Sequence, residues 1–181
     1  LIVNLSLGNE RRPFQSSLSA WAQLLDRLAY RYGILFLVSA GNVRETFGVP
    51  AFATGTAFED ADAAARCDGT LTAIGNVMAD RRMFSPSEAI NAVTVGASND
   101  DWVSAADRRA ARTIIDPFPG IRAANPSSAL GPGFARSVKP DILMPGGREH
   151  LRQMRTDGHD FVRPAASTRP AGLRAAAPRT R

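Results

Sequence analysis

The sequence predicts an α/β domain, a mostly parallel sheet flanked by helices, and three observations carry that prediction. A buried-strand run, Ile2 to Leu7, ends at Gly8. Next, Trp21, Leu24, Leu25, Leu28, Ala29 and Tyr32 recur at the spacing of one helix face. A second run, Ile34 to Ser39, is apolar on both faces, as strands buried in parallel sheets are. Strand, helix and strand in this order make a right-handed βαβ unit, so the two strands run parallel.

The elements follow in order. Asn9 to Ser19 reads as a polar connection holding Pro13. Ser19 is placed to cap the helix, and Gly33 stands where a left-handed residue would stop it. Trp21 and Tyr32 are expected in the core. Glu59 to Arg66 and Thr70 to Arg82 are Ala-rich and expected to be helical, with Cys67 a buried structural thiol. "SPSEA" offers helix-start chemistry at Ser85 or Ser87. Ala92 to Ala97 is a third strand, and Asp100 to Arg112 a charged surface helix. Asp116 to Gly120 and Asn125 to Gly133 are loops, and Ile142 to Met144 is a last short strand between two prolines. "TDGHD", Thr156 to Asp160, reads as a solvated turn rather than a metal site.

Composition limits the function. The chain has 181 residues, enough for one domain that buries roughly two-thirds of its unfolded surface. Its net charge of +5 is uneven. Residues 1–147 hold 14 basic and 14 acidic side chains, whereas 148–181 hold eight arginines against three acids. Few aromatics interleave those arginines, so nucleic-acid binding is not expected. No apolar run approaches the ~18 residues that span a bilayer, so no membrane partner is expected. One cysteine and two histidines argue against a disulfide framework or a zinc centre, and no cofactor is expected. From Arg148 on, Arg, Ala and Pro dominate. Residues 148–181 are expected to be a poorly ordered tail after a domain of residues 1–147.

In open α/β sheets, ligands bind beyond the carboxyl ends of the strands. Two such ends occur here, Ser6-Leu7-Gly8 and Ser39-Ala40-Gly41-Asn42, and parallel strands bring both to one edge. Small residues there let an extended peptide approach and exchange main-chain hydrogen bonds. The Asn42 amide can donate to an oxygen that gains negative charge. Common turn chemistry would also place an Asn after a Gly.

Four stretches in sequence resemble the subtilase family of serine endopeptidases. They are "IVNLSLG", "GILFLVSAGN", "SPSEAINAVTVGASNDD", and "SSALGPG" followed by "KPDILMPGG". The resemblance covers Leu1 to Gly147. It implies a three-layer α/β fold and peptide-bond hydrolysis. By the same resemblance Asn42 is the oxyanion-hole donor, and Ser6, Leu7 and Gly8 pair with substrate main chain. Ser39, Ala40 and Gly41 form the opposite wall, while Gly131, Pro132, Pro145 and Gly146 shape loops.

The departures set further expectations. A triad arrives in the family in the order Asp, His, Ser. The Asp and His motifs would precede Leu1, and no Gly-Thr-Ser follows Gly147. Ser167 is no substitute, because Ala166 replaces the glycine and Pro170 breaks the helix. The chain is therefore expected to be an internal piece, inactive alone, whose partners include missing flanking segments of its own polypeptide besides a peptide substrate. A catalytically inactive peptide-binding module is the alternative. The Arg-rich end is read as either a natural linker or a frame-shifted or truncated stretch. Location in the cell is not legible.

Overall fold

The computed structural model describes residues 1–100 and 114–165. Its centre is a four-stranded parallel sheet of β1 (Ile2–Leu5), β3 (Leu35–Ser39), β5 (Val93–Ser98) and β9 (Ile142–Pro145), side by side in that order. Register is continuous across it. Leu5 lies beside Val38, Val38 beside Thr94, and Val95 beside Ile142. The α/β class expected from the βαβ pattern is the class observed.

Helix α1 (Ala20–Tyr32) begins and ends where its caps predict. Ser19 Oγ accepts from the Ala22 N–H at 3.0 Å, and Gly33 closes the helix with φ of 61°. The cap has a second layer no local pattern announces. Buried Glu88 accepts the Ser19 N–H at 3.0 Å, and Ser85 Oγ donates to Ser19 Oγ at 2.6 Å. Thus "SPSEA" starts no helix; it braces the start of another one.

The rotation of α1 also differs from expectation. Ala22 and Leu25 are buried against Phe36 and Val38, with Leu18, Leu28 and Ala29 partly buried beside them. Trp21, Leu24 and Tyr32 stay exposed. Two alanines let the helix backbone approach the sheet closely, so the narrow face wins over the bulky one.

The Ala-rich region divides into α2 (Gly55–Asp60) and α3 (Ala63–Asn76), capped by Thr54 and Asp62. Cys67 is buried in α3, and burial raises its thiol pKa. These helices do not cover the parallel sheet. Phe58, Ala73 and Ile74 pack with Phe47, Ile115, Leu151 and Val162 in a separate core. Ile115 belongs to β6 (Ile114–Ile115), the edge of a three-stranded antiparallel sheet with β10 (His150–Thr156) and β11 (His159–Ala165).

That hairpin replaces the first half of the expected poorly ordered tail. Leu151 and Val162 point into the core, and the turn is Asp157-Gly158, with φ of 51° and 81°. Positive φ at both turn residues matches the twist of a tight hairpin, so "TDGH" is structural. Short pairs complete the chain: β2 (Asn9–Pro13) with β4 (Phe84–Ser85), and β7 (Gly131–Pro132) with β8 (Val138–Lys139). Asn9 to Pro13 is thus a strand rather than only a connection. The charged helix expected from Asp100 to Arg112 falls, after Asp100, outside the described residues, as do Ser167 and the rest of the tail.

Candidate functional site

One face of the parallel sheet carries α1; the other borders a cavity of about 450 Å³. Side chains alternate along each strand, so Asn4, Leu37, Val95, Ile142 and Met144 share this second face. At the carboxyl edge the lining becomes Ser6, Ser39, Gly41, Asn42 and Ser128. The two strand ends singled out in the sequence therefore meet at one rim.

They do not contribute equally. Asn42 is exposed at that rim, and its amide makes no hydrogen bond to any described residue. Ser6 Oγ donates to Asn4 Oδ1 at 3.2 Å. Leu7 and Gly8 are exposed but lie outside the cavity lining. Ala40 is buried and fully engaged. Its N–H donates to Val95 O at 2.9 Å, and its carbonyl accepts from the Phe84 N–H at 3.0 Å. Its N–H is therefore already used within the sheet.

The segment carrying Asn42 is held by the "NPSS" loop. Gly41 O accepts from the Ala129 N–H at 3.0 Å, Val43 N–H donates to Ser127 O at 2.8 Å, and Asn42 bridges to Ser128. Asn125 fixes that loop in turn. Its Oδ1 accepts from the Ser127 N–H and hydroxyl, at 3.0 and 2.8 Å, and its Nδ2 donates to Gly147 O at 3.1 Å. Asn125 to Gly133, a loop by its sequence, is thus also the brace of the rim. The Asx-turn chemistry of Asn125-Pro126-Ser127 was the available signal.

Gly41 itself is indispensable for two reasons. Its φ is 110°, and a Cβ there would lie 2.5 Å from Phe84 Cδ2. Strain and overlap each cost on the order of 1–3 kcal/mol. Gly41→Ala is therefore expected to lower the urea midpoint clearly, and an unchanged midpoint would contradict this local geometry.

Below the rim lies a buried polar cluster. Arg81 is only 2% exposed, its Nη2 donates to Pro126 O, and its guanidinium lies 5.4 Å over the Phe47 ring. Burial lowers the Arg81 pKa, while Glu45 and Glu149 push it back up. Burial likewise raises the Glu149 carboxyl, and Ser127, Arg44 and Arg81 offset part of the rise. Its Oε2 has no hydrogen-bond partner among the described residues. A carboxyl raised in the fold binds the extra proton there. Its contribution to stability is fullest below the ordinary value of 4.5 and declines as pH climbs through the folded value. Glu149→Gln is thus expected to raise Tm near neutral pH, with the advantage vanishing in acid. A lower Tm at neutral pH would show that attraction to the arginines outweighs desolvation.

The only lysine is structural. Lys139 Nζ, buried, pairs with Asp141 at 2.7 Å and donates to Ala92 O at 3.0 Å, while Asp141 accepts the Thr94 N–H at 2.6 Å. This clamp ties β9 to β5. Asp157, Asp160 and His159 lie at the hairpin, where Asp160 Oδ2 accepts the Gly55 N–H at 2.9 Å.

A parallel sheet whose small-residue strand ends open on one edge, beside an amide without a hydrogen bond among the described residues, defines an α/β protein. A family model described as the subtilase family matches residues 1–171, and the chain belongs to that family. The match runs past Gly147 into the hairpin and beyond. The partial α/β fold described above is a subtilisin-like one, in a family of serine-protease hydrolases. The chain is also similar to an uncharacterized protein, y4bN, of Sinorhizobium fredii (strain NBRC 101917 / NGR234). Identity is 28% over 150 residues, which is 81% of this chain and 31% of the relative. The chain thus spans less than a third of that relative's length.

Proposed function

We propose that this chain supplies the oxyanion donor and part of the peptide cleft of a subtilisin-type serine endopeptidase. Asn42 carries the reading: an exposed amide with no hydrogen-bond partner among the described residues, on a segment braced by two backbone hydrogen bonds to Ser127 and Ala129. When a serine oxygen adds to the peptide carbonyl, the carbonyl oxygen becomes an alkoxide. An N–H aimed at that position from a fixed backbone stabilises the alkoxide without reorganising. Ser6 to Gly8 offers the exposed main chain along which the substrate extends. With neither a nucleophile nor a base assigned among the described residues, the chain by itself is expected to be inactive.

The test uses the gene product in full. A fluorophosphonate probe should label it, and casein digestion should fall in step with labelling. Absence of both, with peptide binding retained, would favour the inactive peptide-binding module instead.

A further inference from the structure

We propose that Phe84 closes the cleft floor between the two strand ends and restricts the peptide side chain entering there to Gly or Ala. This rests on the cleft reading above and adds its specificity.

Past Leu5 and Val38 the strands β1 and β3 no longer pair with each other, because β4 is inserted between their extensions. On one side the Phe84 N–H donates to Ala40 O at 3.0 Å. On the other, Pro13 and Asn9 of β2 stand opposite Phe84 and Ser85. Both strand-end glycines face the Phe84 side chain. A Cβ on Gly8 would lie 3.0 Å from Phe84 Cβ, and one on Gly41 would lie 2.5 Å from Phe84 Cδ2. The gap that two glycines leave is therefore already filled, from both walls, by one aromatic residue of the protein.

The ring has little room to withdraw. Its residue's carbonyl accepts from both the N–H and the hydroxyl of Ser87, at 3.0 and 2.6 Å, so the backbone is fixed on either side of Cα. Phe84 also packs against the buried cluster of Ala40, Val43, Met83 and Ala129. An extended peptide laid along Ser6 to Gly8 directs alternate side chains toward and away from the floor. The one directed between the strand ends meets Phe84. Glycine and alanine project no further than the space allows, whereas a large side chain must displace the ring against its packing.

Binding needs no catalysis, so the test is a titration of the 15N-labelled chain with two peptides followed by NMR. One is acetyl-tetra-alanine amide; the other has Phe at its fourth position. The wild type should bind the alanine peptide at least about tenfold more tightly, a modest demand for a steric pocket. Phe84→Ala should reverse that ratio, and Phe84→Leu, which keeps an apolar plug, should fall between. If Phe84→Ala does not give a native spectrum, the shift in ratio for Phe84→Leu decides. Alanine-peptide binding with a ratio unaltered in both variants would overturn the role of Phe84 while leaving the cleft reading intact. No binding of either peptide by wild type or variants would overturn the cleft reading and this inference together.

Discussion

Asn42→Ala in the full gene product is expected to cut kcat by on the order of 10²–10³-fold, the loss known for the oxyanion donor of subtilisin itself rather than one calculated from this geometry. KM should change little, because the donor acts on charge that appears only in the transition state. Fold stability should also change little. Asn42 is exposed and its amide holds no described residue in place, so the substitution belongs with surface changes worth within about 0.5 kcal/mol. The backbone links of residues 41–43 to 127–129 do not involve the amide and remain. Steady-state kinetics on a short peptide ester, paired with a thermal melt, separates the possibilities. A fall in kcat at constant Tm and KM supports the donor role. Unchanged kcat would end it, and a fall in Tm would reassign Asn42 to the scaffold.

Arg81→Ala carries the largest expected loss of stability, about 3–5 kcal/mol, the range for removing one partner of a buried charge cluster. A domain this size is stable by about 5–15 kcal/mol, so the variant would stand near the limit of folding. Three effects combine. Pro126 O loses its donor, Phe47 loses the guanidinium above its ring, and the buried carboxyl of Glu149 loses a nearby positive charge. Urea unfolding measures the sum, and two further variants divide it. Arg81→Met fills the space without charge, so near-wild-type stability would assign the effect to packing. Adding Glu149→Gln to Arg81→Met should recover stability if an uncompensated carboxylate is the main cost. No recovery would show that the two side chains are not coupled.

Because Pro126 belongs to the loop that holds Asn42, these two predictions meet. Loss of Arg81 should also loosen the rim, and residual activity of a folded Arg81 variant should fall through kcat rather than KM.

What the sequence by itself determined is the set of elements written in local chemistry. Ser19 and Gly33 bound α1 because a hydroxyl and a left-handed glycine satisfy helix ends without help from elsewhere. The runs at Ile2, Ile34, Ala92 and Ile142 became the parallel sheet, and those at Ile34 and Ala92 took its centre, where apolar residues can be covered on both faces. The placing of Ser6 and Asn42 at one rim followed from the parallel direction that a single crossover connection gives the two strands. Tertiary structure decided what depends on contacts distant in sequence. The hairpin of β10 and β11 was obscured by arginines, since only Leu151 and Val162 among its residues record a core built by Phe58, Ile74 and Ile115. Likewise the face of α1 that turns inward was set by how closely Ala22 and Ala29 could approach Phe36 and Val38. Ala40 and Phe84 illustrate the same limit at the site. A strand-end alanine and a loop phenylalanine are ordinary in sequence, and only the insertion of β4 shows that one is fully engaged and the other fills the gap. Local hydrogen bonding and periodicity act over a few residues and can be read along the chain. Packing acts between residues the chain keeps far apart, and it is fixed only when they meet.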